Sequence, residues 1–160
     1  MNKELKKIYR EDQKDRRNPL FKTDFSQFRK RDLLRKKKLD TLFRSCRIKT
    51  GEDYYHAALL YHHNLSTASS KRAVRLARVS IELGTKKALR LYAITIDRLL
   101  IKQGKKQKFG TQYRLIKGTW RLYSVDPKTT NTERALYNIP PLPHIRSVAY
   151  EDDTKNEIKR

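Results

Sequence analysis

The sequence predicts a mainly α fold: a compact bundle of about five helices with one small C-terminal β-hairpin. Three observations carry that expectation. Apolar residues recur at helical spacing through five segments ahead of Gly104, and two short alternating segments flank Lys117-Gly118-Thr119. Glycines, prolines and capping residues punctuate the segment ends. A chain of 160 residues is expected to be a single domain over 1–150, with an acidic, frayed tail over 151–160.

The first helix covers residues 2–16, with Leu5, Ile8 and Tyr9 on one side, and Pro19 ends it. Thr23 or Asp24 caps a second helix running to about Arg47. Its expected apolar stripe is Phe25, Phe28, Leu33, Leu34, Leu39, Leu42, Phe43 and Cys46, which places the single thiol in the core. Thr50-Gly51 breaks this helix, and a third follows with Tyr54, Tyr55, Ala57–Tyr61, His62 and His63. Leu65–Ser70 reads as a polar loop. Ser69 or Ser70 opens a fourth helix, which ends at Gly84 as a left-handed cap. Thr85 caps a fifth helix, with Ala88, Leu89, Tyr92, Ala93, Ile96, Leu99 and Leu100 inward, ending near Gly104. Gln112–Ile116 and Trp120–Val125 form the hairpin, Asp126-Pro127 stops it, and Thr132–Tyr137 reads as a short helix. Ile139-Pro140-Pro141-Leu142-Pro143 is expected to be extended.

Charge dominates the composition. Lys and Arg number 39 against 17 Asp and Glu, a formal net charge of +22. That self-repulsion disfavours a compact monomer and calls for a polyanionic partner. Residues 28–49 carry net +8 and residues 71–121 net +13, so the excess lies in the periodic, apolar-containing middle of the chain. A disordered basic arm on a neutral fold would show the reverse. No apolar run approaches 18 residues and no signal-peptide pattern is seen, so neither a membrane span nor secretion is expected.

Motifs for chemistry are sparse. His62-His63 lies six and seven residues after His56, whereas zinc on one helical face needs three or four, so no metal site is expected. The alternative is imidazoles meeting carbonyls at a helix end. There is no Gly-x-Ser-x-Gly and no phosphate-loop pattern, and no cofactor is implied.

More specific are Asp12-Gln13 with Arg16, Ala57-Ala58 leading to His62-His63, Asp97-Arg98, the turn Gln107-Lys108-Phe109-Gly110-Thr111-Gln112, Trp120–Asp126 and Pro140-Pro141-Leu142. Together they resemble a family of small uncharacterised helical domains found mainly in bacteria, over roughly residues 8–143. The resemblance implies the helical fold but no established reaction. It draws together Asp12, Gln13, Arg16, His62, His63, Asp97, Arg98, Gln107, Thr111 and Gln112, either converging on one pocket or forming a buried network that holds the hairpin to the helices. The high Lys and Arg content departs from the family pattern.

Basic faces are therefore the main functional signal. The candidates are Arg29, Lys30, Arg31, Arg35, Lys36, Lys37, Lys38 and Arg44 on the second helix, and Lys71, Arg72, Arg75 and Arg78 on the fourth. Lys86, Lys87 and Arg90 begin the fifth, which leads to Lys102, Lys105, Lys106 and Lys108. Like charges one helical turn apart cost a few tenths of a kcal/mol per pair, and phosphate contacts would offset that cost. No base-reading module is recognisable. The expectation is sequence-independent binding, of duplex DNA before RNA, by a protein that condenses or packages a genome inside a cell or virion core, with self-association open. An RNA-binding ribosomal protein, or an enzyme built around His62 and Asp97, are the alternatives.

Overall fold

Five long helices, a hairpin and a short helix follow one another in the computed structural model, which describes residues 1–18 and 25–148. They are α1 (Lys3–Arg17), α2 (Phe25–Arg44), α3 (Gly51–His63), α4 (Thr67–Glu82), α5 (Ala88–Lys102), β1 (Tyr113–Ile116), β2 (Thr119–Leu122) and α6 (Asn131–Leu136). The expected mainly α class with one hairpin is what forms. Pro19, the Thr23 or Asp24 cap and the tail from 151 lie outside the described residues. The chain divides into two compact units, Met1–Leu91 and Tyr92–Arg160, with the boundary inside α5.

The first unit is built around α3, which has no exposed residue. α1, α2 and α4 all pack against it, and its polar side chains have partners, Asp53 in the Thr50 cap, Glu52 on Lys87 and His63 on Asp12. Ala57 and Ala58 on α3 and Ala73 and Ala77 on α4 are fully buried, so these two backbones approach closely. Thr50 and Gly51 do not merely break a helix: Thr50 caps α3 in a capping box with Asp53, and Gly51 is the first helical residue. A Cβ on Gly51 would sit 2.4 Å from Thr85 Oγ1 and 3.1 Å from the Leu83 carbonyl oxygen, so any side chain there forces Thr85 to move. Ser66, rather than Ser69 or Ser70, caps α4 by accepting from the Ser69 N–H at 3.1 Å, and Ser69 and Ser70 are buried.

The register of α2 differs from the expected stripe. Phe28, Arg35, Leu39 and Leu42 are buried, a spacing of seven, four and three that follows one helical face. That register turns Leu33 and Leu34 outward, at 54% and 58% exposed. The helix then ends at Arg44. Cys46 takes a left-handed backbone (φ 52°) while the Arg47 N–H bonds the Leu42 carbonyl, and this terminal turn leaves the thiol exposed rather than in the core.

In the second unit Ala93, Phe109, Ile139 and Ile145 form a buried cluster, with Ile96, Tyr113, Leu122 and Tyr137 packed on it. The hairpin is antiparallel, pairing Tyr113 with Leu122, Arg114 with Arg121, Leu115 with Trp120 and Ile116 with Thr119. Lys117 and Gly118 both have positive φ (48° and 82°), as a two-residue turn matching the strand twist requires. Residues 142–148 are helical, so the expected extended segment stops at Pro141.

Candidate nucleic-acid interface

In the first unit the aspartates among the described residues are buried or half-buried, whereas Glu4, Glu11 and Glu82 are exposed among a larger number of exposed Lys and Arg. Asp12 and Asp53 are buried, and Asp15, Asp32, Asp40 and Glu52 are partly so. Lys3, Lys7, Arg10, Lys14 and Arg17, all exposed, recur every three or four residues and form one stripe along the outside of α1. None of the five makes an ion pair among the described residues. The stripe spans about 21 Å at 1.5 Å per residue. Residues 1–24 sum to only +3, which hides the stripe: Asp12 and Asp15 face inward, while Glu4 and Glu11 stay exposed and Glu11 borders the stripe.

On α2, Arg29, Lys30, Arg31, Lys37, Lys38 and Arg44 are exposed, with Arg31 3.2 Å from Asp15. Arg35 is not a surface cation. At 6% exposure it pairs with Asp15 and Asp32, because the α2 register carries it into the interface with α1. Lys36 reaches Asp40 at 2.7 Å, and Arg72 pairs with the same carboxylate while lying 4.6 Å over both the Phe43 and Tyr61 rings. Lys71, Arg75 and Arg78 form an exposed stripe on α4. Lys86, Lys87 and Arg90 are exposed, and Lys87 contacts Glu52 at 2.6 Å. In the second unit Lys105 and Lys106 are exposed and Lys102 is half-buried. Lys108 holds Glu133 at 2.6 Å, a bond that raises its pKa. Lys105, Lys106, Lys108 and Lys128 rim one cleft, which Asp126 and Glu133 also line.

The ten polar residues singled out by motif fall five in each unit. Those of the first unit centre on Asp12, which is 1% exposed. Its carboxylate accepts from Gln13 Nε2 at 2.9 Å and Arg16 Nε at 3.0 Å, and lies 2.9 Å from His63 Nδ1. Burial alone would raise the Asp12 pKa, but the His63 and Arg16 hydrogen bonds and charges outweigh it and hold the group at about 2. Arg16 also bonds Asp32 at 2.9 Å, and burial raises the Asp32 pKa. His63 thus meets a carboxylate, and His62 is buried beside it. The adjoining cleft, lined by Asp32, His63 and Ser66 among others, has a volume near 220 Å³. Ligand pockets usually run ~300–1,000 Å³.

The second unit has its own network, and it accounts for the Gln107–Gln112 turn. Asp97, fully buried, accepts from the backbone N–H groups of Lys108, Phe109 and Thr111 and from Thr111 Oγ1, at 2.7–2.9 Å. Arg134, also buried, donates to the carbonyls of Phe109 at 3.1 Å and Thr129 at 2.7 Å. The turn is thus held between an anion that takes its N–H groups and a cation that takes a carbonyl. Gln107 Nε2 donates to the carbonyls of Gln112 and Tyr123, and its Oε1 accepts from the Gln112 N–H. Arg98 Nε reaches Gln112 Oε1 at 3.3 Å. No buried side-chain nitrogen or oxygen of this turn is left without a partner, and the bonds run mostly to main-chain groups, so the motif organises backbone.

Comparison with family models, curated proteins and solved structures returned no match. Among the described residues, no group of three or more His, Cys, Asp or Glu side chains is placed to hold a metal ion, and no helix is long and apolar enough to cross a membrane.

Proposed function

We propose that this protein binds duplex DNA through phosphate contacts, without sequence preference, and packages it by bringing segments together. The observation that carries this reading is the segregation of charge in the first unit. The aspartates of α1 and α2 turn toward the buried Arg35 and half-buried Arg16, while α1 and α4 present stripes of cations spaced one turn apart, of which only Arg78 pairs with a carboxylate among the described residues, Glu82 at 3.9 Å. Such a surface suits a partner with closely spaced negative charge, and duplex DNA carries one per ~1.7 Å of its axis. Because α3 is enclosed, the outer faces of the helices around it point in different directions, which supports contacts to more than one duplex segment. Contacts made only to phosphate give affinity and register without reading sequence. The closed Asp97 and Gln107 network, with its polar atoms already paired, does not favour an enzyme built on that turn.

The test is a titration of two duplexes of unrelated sequence over a range of salt concentrations. Equal affinities that fall steeply and in parallel with salt support the reading. A strong preference for one sequence, or binding indifferent to salt, overturns it.

A further inference from the structure

The hairpin carries an exposed pair of arginines, of which Arg114 lies 5.4 Å over the Tyr123 ring, and an exposed apolar pair. Arg114 and Arg121 face each other directly across β1 and β2, and both are exposed. Like charges at directly opposed positions destabilise a strand pair, and neither guanidinium makes an ion pair among the described residues. On the other face, Leu115 and Trp120 are also a direct pair, 57% and 51% exposed. The pair nearer the strand ends on that face, Tyr113 and Leu122, packs on the core cluster, so the apolar surface continues from the core outward to the tip. Lys117 stands at the turn. The result is a two-stranded ribbon with a cationic face, an aromatic and aliphatic face and a basic tip.

We infer that this hairpin is a DNA-contacting arm, in which Arg114 and Arg121 bracket a backbone phosphate while Trp120 and Leu115 pack against the sugar and base surface of a groove. The inference rests on the proposed DNA binding and adds an element and a mode to it. A two-stranded ribbon fits the major groove of a duplex, and apolar side chains that reach a base step unstack it in part. Charge complementarity selects the partner: a phosphate between the two guanidinium groups converts their repulsion into a paired contact. An apolar protein surface would leave that repulsion in place.

The chain has a single tryptophan, so its emission reports on position 120 alone. The experiment titrates the full chain with a fluorescently labelled mixed-sequence duplex, following anisotropy for binding and tryptophan emission for contact. The expected result is a change in Trp120 emission that saturates with the anisotropy. Arg114→Gln with Arg121→Gln should lower the salt slope by one to two, at about 0.9 per lost phosphate contact, and should shrink the emission change. This pair of substitutions removes a repulsion and also the Arg114 contact with the Tyr123 ring, so circular dichroism first checks that the variant is folded. Binding with unchanged Trp120 emission, or a double variant that matches the parent, overturns the arm while leaving DNA binding intact. Absence of duplex binding by anisotropy overturns the underlying reading instead. A larger emission response to single-stranded oligonucleotide than to duplex overturns the duplex assignment.

Discussion

Replacing Asp12 with asparagine should destabilise the first unit by about 3 kcal/mol at neutral pH, since removing one partner of a buried ion pair costs roughly 3–5 kcal/mol. The geometry says why. The substituted side chain would keep the shape but present an amide to Arg16, Gln13 and His63, three groups that now meet a carboxylate at 2.9–3.0 Å. The pKa gives a second measure. Holding the carboxyl at about 2 against an ordinary 3.8 corresponds to about 2.5 kcal/mol at ~1.36 kcal/mol per pH unit. The folded value lies below the unfolded one, so this stability is present above pH ~4 and is lost as pH falls through the folded value near 2. Asp32 works in the opposite sense, because burial raises its pKa in the folded state. The difference between parent and variant therefore isolates Asp12 better than the parent curve does. Urea unfolding followed by far-ultraviolet circular dichroism, repeated from pH 7 to about pH 2.5, should show a gap near 3 kcal/mol that narrows with acid. A gap under about 0.5 kcal/mol at pH 7, or one that does not change with pH, would refute the reasoning.

Two further substitutions test the fold that holds these surfaces. Asp97→Asn removes the charged acceptor for three backbone N–H groups and should cost at least about 3 kcal/mol, at roughly 1.5–3 kcal/mol for each hydrogen bond to a charged group. Amide exchange at Lys108, Phe109 and Thr111 should accelerate first, and unchanged protection there would contradict the assignment. Gly51→Ala forces its Cβ to within 2.4 Å of Thr85 Oγ1 and should cost about 1–3 kcal/mol, read as a lowered Tm. A Tm equal to the parent's would mean that the segment from Leu83 to Thr85 yields freely.

Helix positions and the hairpin were legible in the sequence because periodicity and turn chemistry are local. Gly84 and Gly104 do stand at positive φ, as helix-ending glycines should. Register was less legible. The α2 sequence offers Leu33 and Leu34 as core, yet Arg35 takes the buried place because α1 brings Asp12 and Asp15 to meet it. A single sequence does not reveal which helix supplies the partner. The same non-local pairing explains the cation faces. Lys36, Arg72, Lys87 and Lys108 read as free cations along the chain but are met by Asp40, Glu52 and Glu133 in space. The α1 stripe was readable in principle, from Lys3, Lys7, Arg10, Lys14 and Arg17 at helical spacing, but only when charge is counted by face instead of by segment. The Gln107–Gln112 turn was visible as a motif, whereas its role depended on seeing Asp97 collect the backbone N–H groups.

The most direct measurement of the central claim is the salt slope of duplex affinity for the parent and for a variant with Lys3, Lys7, Arg10, Lys14 and Arg17 changed to glutamine. All five side chains are exposed and without ion pairs among the described residues, so folding is expected to persist, and its circular dichroism spectrum checks that. If every cation of the stripe touches phosphate, the slope of log affinity against log salt falls by up to about 4.5, at ~0.9 per contact. At least two contacts' worth should be lost, equally on duplexes of unrelated sequence. A folded variant with the parent's slope and affinity would contradict it.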